Sequence, residues 1–403
     1  MKRITSIFAS LLLAASALCA QELTNFAFRG QKPVISPETQ NDSVTFRLKA
    51  DYATIVKLSG SWMPNPWGDT IDMKRGENNV WEVTIPLPDP EIYTYNFVAD
   101  GVSVNDPQNV MVQRDGSRYL SMLLVDGERT ENYKPAEQRG TVSHPWYDSK
   151  ILGINRRLTV YTPYGYETNP KAKYPVLYLL HGAGGDEEAW CSMGRTAQIL
   201  DNLIAKGLAE PMIVVMPNAL NSNYANWPEV GMGFNMYDFL LDELMPLVYN
   251  WFPASDKRED NFIAGLSMGG RGTCVYAFNH PEKFAAAAIL SAAPRDMAQL
   301  EVLEPKMYHR TLQSVRNYGS LENYLASYEN TWRIFQEKAH TGELPRLYFT
   351  IGTDDHLYPS YAHFKEVARE IGLDAIFEEV DGYCHEWRFW DLSIQKALEF
   401  FGL

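Results

Sequence analysis

The chain has few cysteines, a deficit of positive charge and, past its first twenty residues, no apolar run long enough to cross a bilayer. Each shortage excludes something. Of four cysteines in 403 residues, three (Cys191, Cys274 and Cys384) lie beyond the N-terminal leader, an odd count that leaves a free thiol and rules out a disulfide-framed scaffold. Cys191 and Cys384 fall on loops expected near one another, but no bridge between them is expected. Lys and Arg number 36 against 50 Asp and Glu. An acidic surface of that size argues against nucleic acid or anionic membrane as a partner. The acids and histidine of 354–363 lack zinc-ligand spacing, so neither a metal nor another cofactor is expected.

What is present begins with a leader. Lys2 and Arg3, an apolar run from Ile7 to Leu18 and the small Ala20 have the pattern of a secretory signal peptide over residues 1–20, which predicts a secreted or periplasmic protein. Lipid anchoring through Cys19 is the alternative, disfavoured because Leu18 before it is large for that processing. Without Lys2 and Arg3, 34 basic residues face 50 acidic ones, a net charge of -16.

Residues 21–127 read as a small all-β, Ig-like sandwich. Val44, Phe46 and Leu48 alternate on one face, Trp81, Val83 and Ile85 on a second, and Tyr93, Tyr95 and Phe97 on a third. Asp100-Gly101 and Asp126-Gly127 are turn signals. Residues 128–139 are charged and nearly devoid of apolar side chains, the composition of a linker. From 140 to 403 strand and helix patterns alternate. Buried strands are predicted at Pro175–Leu180, Met212–Met216, Ala285–Leu290 and Arg346–Ile351, with helices between them, the amphipathic 236–251 among these, as in a doubly wound, mostly parallel α/β sheet. Residues 298–343 interrupt that alternation and are expected to form a cap beside the site.

The stretch that organises the larger part is Asn261 to Gly270, N-F-I-A-G-L-S-M-G-G. An apolar strand drives into G-L-S-M-G and a helical segment follows, the strand, sharp turn and helix of a nucleophile elbow. Ser267 would stand exposed at the turn, with the N–H of Met268 aimed where an oxyanion forms. A serine hydroxyl needs a base, and in this fold the acid and then the histidine follow it along the chain. The strand to Ile351 leads into Gly352, Thr353, Asp354, Asp355, and the strand to Val380 leads into D-G-Y-C-H-E-W. His385 is thus the predicted base, with His356 its one rival. Asp354 and Asp355 are equal candidates for the acid on physical grounds. A second oxyanion donor is expected from L-L-H-G-A-G-G-D, at the N–H of Ala183, with His181 shaping that loop. Trp190, Trp227 and Trp387 are candidates to flank an aromatic acyl group.

These motifs carry two resemblances. Y-L-L-H-G-A-G-G, G-L-S-M-G-G, I-G-T-D-D-H-L-Y and H-E-W-R-F-W together resemble the carbohydrate esterase family of feruloyl and acetylxylan esterases, and more distantly S-formylglutathione hydrolases. That family's G-T-x-D pattern implies Asp355 as the acid. L-S-G-S-W, N-V-W-E-V, Y-T-Y-N-F-V-A-D-G and N-D-P-Q-N resemble a carbohydrate-binding module of the glycogen- and starch-binding type. Trp62, Trp81, Tyr95 and Phe97 alternate as core residues there, which leaves Trp67 as the expected sugar-stacking side chain. The resemblances imply a secreted serine esterase that removes feruloyl groups from arabinoxylan. An acetylxylan esterase is the alternative, as is a siderophore esterase of the enterobactin type, which also joins a sandwich to this fold. A non-catalytic carbohydrate-binding protein is disfavoured by the complete set of Ser267, acid and His385.

Overall fold

The computed structural model describes residues 34–65, 68–116, 118–169 and 172–402. The leader with Cys19, and Trp67, lie outside these residues. Of the described chain, the residues before Met111, apart from Gly60–Trp62 and Pro88–Tyr95, form one compact unit; those two pieces and everything from Met111 onward form a second.

The first unit is all β. Ser43–Lys49 and Val80–Pro86 pair antiparallel with Val44 opposite Ile85, Phe46 opposite Val83 and Leu48 opposite Trp81. That register puts every second side chain on the inner face, and Val44, Phe46, Leu48, Trp81 and Ile85 are buried as the alternation predicts. Asp100 and Gly101 make the turn between Ile92–Ala99 and Val102–Val104, both with positive φ.

The second unit is built on an eight-stranded sheet: β1 Thr141–Ser143, β2 Thr159–Thr162, β3 Val176–Leu180, β4 Ile213–Met216, β5 Asn261–Leu266, β6 Ala286–Leu290, β7 Arg346–Gly352 and β8 Ile376–Val380. Their order is β1-β2-β4-β3-β5-β6-β7-β8. β1 and β2 run antiparallel at one edge, and all pairs from β4 to β8 are parallel. The central strands read as unbroken apolar runs because both faces are covered. Leu177 and Leu179 enter the core on one side of the sheet, and Val176, Tyr178 and Leu180 the core on the other. The helices that matter to the site are α1 Thr196–Ala205, α2 Met268–Asn279, α3 Pro305–Asn317, α4 Tyr358–Glu370 and α5 Trp387–Phe401. No helix of the described residues is long and apolar enough to cross a membrane.

The structure departs from the sequence-based expectations in two places and gives the make-up of a third, the expected cap. The helix expected over 236–251 contains a π-helical stretch at Phe239–Leu244, just ahead of Pro246, whose missing N–H cannot continue the regular ladder. Residues 298–343 form four short helices, α3 among them. The segment 128–139 is not an open linker over its first half: Glu128–Tyr133 form a 3-10 turn with Thr130 and Tyr133 buried. Arg129 bonds Asp391 Oδ1 at 2.8 Å and the carbonyl of Arg388 at 2.6 Å, and also the Tyr133 hydroxyl. Arg129, part of the charged composition that suggests a linker, is instead paired with a buried carboxylate in α5. Burial raises the Asp391 pKa to about 7 in spite of the guanidinium beside it.

Candidate active site

The elbow forms as its glycines require. A Cβ at Gly265 would lie 2.4 Å from the carbonyl oxygen of Gly269, and one at Gly269 would lie 2.4 Å from that of Leu180. Only residues without a side chain let β5, the turn and α2 close this tightly. Between them Ser267 is held at φ 53, ψ -113, a sparsely populated conformation that costs on the order of 1–3 kcal/mol and persists only because its surroundings over-determine it. The Ser267 N–H is tied to the carbonyl of Leu290 at 2.8 Å, so the strained residue is braced by the neighbouring strand.

The other two predicted side chains arrive from the carboxyl ends of β7 and β8. His385 Nε2 is 2.9 Å from Ser267 Oγ, and His385 Nδ1 is 2.7 Å from Asp355 Oδ2. The three residues are separated by up to 118 positions in sequence and meet in one hydrogen-bonded chain. Asp355 is buried, and burial alone would raise its pKa. The bond and charge of His385, the N–H of Leu357 at 2.9 Å and the Ser291 hydroxyl outweigh that and hold the carboxyl below its ordinary value. An ionised Asp355 fixes the imidazole with its proton on Nδ1 and a lone pair toward the serine. Asp354 makes no such contact: its N–H bonds the carbonyl of Tyr383. His356 is displaced from the base position. It is exposed, its Nδ1 lies 3.5 Å from Asp355 Oδ1, and its ring meets the His385 ring edge-on at 4.7 Å.

Sequence reading missed two supports. Trp390 packs edge-on against His385 with ring centroids 4.9 Å apart, and its indole N–H donates to Ser291 Oγ at 3.0 Å. Ser291, at the end of β6, has φ 48. Trp390 ends the H-E-W-R-F-W run and Ser291 belongs to no motif, and nothing in the sequence assigns a contact to either; only the fold sets Trp390 against His385 and Ser291 beside Asp355.

Among the described residues, the N–H groups of Met268 and Ala183 have no hydrogen-bond partner. Met268 is the first residue of α2, where such a donor is left free by helix geometry. The Ala183 loop is shaped by His181, whose Nε2 accepts from the N–H of Ala219 at 2.9 Å and whose Nδ1 therefore donates to the carbonyl of Gly182 at 2.7 Å. Burial lowers the His181 pKa, in keeping with a neutral, structural ring. Asn221 Oδ1 accepts from the N–H of Gly184 at 2.9 Å.

Ser267, His385, Ala183, Trp227 and Trp387 line a cavity of about 710 Å³, with α3 of the predicted cap contributing Met307, Arg310 and Thr311. Trp190 does not reach it. That side chain is 1 % exposed, donates to the carbonyl of Leu180 at 3.1 Å and packs beneath Trp387 at 5.4 Å. Its indole is drawn into the core by the one carbonyl it can satisfy there. The three cysteines are free, and burial pushes the Cys191 thiol up to about 12. The described group nearest to a metal site is Asp355, His356 and His385, with donor atoms within 4.8 Å of one another. Both nitrogens of His385 are already engaged with Asp355 and Ser267, so the chemistry on offer is proton transfer to and from a hydroxyl.

Residues 149–401 match the family model described as "Putative esterase", and residues 34–112 match carbohydrate-binding module 48, the isoamylase N-terminal domain. Over 233 residues, 56% of this chain, the sequence is 33% identical to an endo-1,4-beta-xylanase/feruloyl esterase of Xylanibacter ruminicola, of whose length the match spans 32%. Over 231 residues it is 28% identical to an acetyl esterase of Caldicellulosiruptor saccharolyticus, spanning 82% of that protein. A solved ferulic acid esterase superposes with a TM-score of 0.53 at 28% identity, covering 66% of this chain and 98% of its own. The enterobactin esterase of Shigella flexneri gives a TM-score of 0.59 at 18% identity over 91% of this chain and 95% of its own, a likeness of fold. The chain belongs to the esterase family of α/β-hydrolases, and its esterase part follows a segment that matches carbohydrate-binding module 48.

Proposed function

We propose that this is a secreted esterase that removes feruloyl groups from arabinoxylan, with Ser267 as nucleophile, His385 as general base and acid, Asp355 as the carboxylate that orients it, and the N–H groups of Ala183 and Met268 as the oxyanion donors. His385 Nε2 takes the Ser267 proton as Oγ bonds the ester carbonyl carbon, and the carbonyl π pair moves to oxygen between the two N–H groups. On collapse the bond to the sugar oxygen breaks and His385 returns the proton to that oxygen. Water, deprotonated by the same imidazole, then cleaves the acyl-enzyme and restores the serine. Each oxyanion donor is worth about 3 kcal/mol in such a step.

The observation that carries this reading is the unbroken chain from Asp355 through His385 to Ser267, opening into a cavity walled by Trp227 and Trp387. A volume of about 710 Å³ accommodates an aromatic acyl group together with part of a sugar. The feruloyl esterases among the similar proteins and the module at 34–112 support a polysaccharide-linked ester, and the leader at residues 1–20 supports secretion. Trp67 is the proposed sugar-stacking residue of that module. The match to an acetyl esterase over most of its length favours deacetylation of xylan as the second reading. Initial rates of the mature chain on methyl ferulate and on acetylated xylan separate the two: release of ferulate is expected, and turnover of the acetate alone would defeat the feruloyl assignment.

A further inference from the structure

The loop that carries Ala183 has no regular structure of its own. His181 to Glu188 contain Gly182, Gly184 and Gly185, so an N–H in the middle of it is poorly fixed unless side chains hold the loop from outside. Part of that hold comes from a residue about seventy positions upstream. Val112–Asp115 and Arg118–Leu124 form a hairpin within the second unit, and Arg114 on its first strand reaches the loop. Arg114 Nη1 lies 2.6 Å from Asp186 Oδ2 and its Nε lies 3.2 Å from Glu188 Oε2. Its own N–H donates to Ser192 Oγ at 2.5 Å, and the neighbouring Gln113 Nε2 donates to the carbonyl of Met193 at 2.9 Å. At the hairpin tip a Cβ on Gly116 would stand 2.9 Å from the carbonyl oxygen of Gly184, the residue next to Ala183. Behind Asp186 and Glu188 stands a second cation: Arg157 Nε bonds Glu187 Oε1 at 2.7 Å, and its Nη2 bonds Glu188. Two guanidinium forks therefore grip three consecutive carboxylates, with Asn218 Nδ2 completing Glu187 at 2.7 Å.

We infer that Arg114 is a positioning residue for the oxyanion site: through Asp186 and Glu188 it holds the loop so that the Ala183 N–H stays where the ester oxygen becomes charged. This rests on the reading of Ala183 as an oxyanion donor. The pairs are partly buried, with side-chain exposures of 20% for Arg114 and 17% for Asp186, and a planar guanidinium that bridges two carboxylates through Nη1 and Nε fixes direction as well as distance. A donor displaced by about 1 Å loses much of its effect on the transition state while scarcely altering how the ground-state ester binds. The inference is therefore about kcat.

Its test uses the full chain on methyl ferulate and 4-nitrophenyl acetate, with active sites counted by fluorophosphonate titration. Arg114→Ala is expected to lower kcat per titrated site roughly ten-fold or more, up to the 10²–10³-fold that outright loss of one donor costs, with KM shifted less than about two-fold. The affinity for an arylboronic acid, whose adduct with Ser267 places an oxygen in the oxyanion position, should fall by a similar factor. Arg114→Lys, which keeps the charge without the fork, should recover part of both. A role confined to stability would lower the titratable fraction or the melting temperature and leave kcat per titrated site within two-fold of the parent, and that result overturns the inference. Should Arg114→Ala not accumulate as folded protein, Arg114→Lys and Asp186→Asn carry the same test, and unchanged kcat per site in both overturns it equally. Failure of the underlying mechanism has a different signature, hydrolysis surviving in Ser267→Ala.

Discussion

The two proposed oxyanion donors, the N–H groups of Met268 and Ala183, are fixed by opposite means. Met268 is held by the backbone itself: a Cβ on Gly265 would stand 2.4 Å from the Gly269 carbonyl oxygen, Ser267 is held at positive φ, and the donor is the first residue of α2. Ala183 sits on a glycine-rich loop held by side chains from elsewhere: His181 from within, Asn221 from the loop after β4, Arg157 from ahead of β2 and Arg114 from the hairpin. One half of the site is specified by local sterics and tolerates no added atom. The other is specified by long-range polar contacts and is open to gradual adjustment.

Replacing Ser267 by Ala sets the floor for the comparison, since the two donors and the cavity then act without a nucleophile. Hydrolysis of methyl ferulate is expected to fall by about 10⁴-fold or more, with the melting temperature little changed, since alanine keeps the Cβ and with it the strained turn. The next largest effect should separate the two halves directly. Gly269→Ala drives a Cβ against the Leu180 carbonyl and should prevent recovery of folded enzyme, or cost at least about 3 kcal/mol in urea unfolding. Gly184→Ala meets nothing within 4 Å and should cost only about 1–2 kcal/mol, the penalty of a side chain at φ +80. Equal losses in the two would erase the distinction. Asn221→Ala, which frees the Gly184 N–H, should lower kcat a few-fold to ten-fold with little change in KM, measured by initial rates. The smallest effect is one of pH. Because the Asp355 pKa is held below its unfolded value near 4, the ionised carboxylate contributes stability that is fully present above about pH 4 and is lost as pH falls through the folded value. The gap in melting temperature between the parent and Asp355→Asn should therefore shrink on acidification below pH 4, and a gap that widened there would contradict the assignment.

This contrast also governs what could be read without a structure. Met268, Ser267 and the strand-helix frame around them are written in ten consecutive residues, and His385 follows from the order in which strand ends appear. Asp355 was separable from Asp354 only through resemblance, because two adjacent carboxylates on one loop differ in direction and not in composition. Trp190 was misplaced for a similar reason: its position after the oxyanion loop is right, but a buried carbonyl, invisible in the sequence, turns the indole inward. Arg129 and Arg114 look like solvated charges in a polar stretch. Their partners, Asp391 and Asp186, lie 262 and 72 residues away, beyond any pattern based on periodicity or spacing.

The 3-10 turn at 128–133 bears on where this enzyme can be cut. The family match begins at residue 149, which invites a shortened protein starting there. Such a protein would lose Tyr133, fully buried in the parent, and would strand Asp391 in the interior without its cation. It would also discard Arg114. A workable boundary for the hydrolase lies upstream of the hairpin and also of Pro88–Tyr95, which pairs with it and belongs to the same unit, and enzymes trimmed to the matched span should report poor folding and slow turnover that have nothing to do with carbohydrate capture.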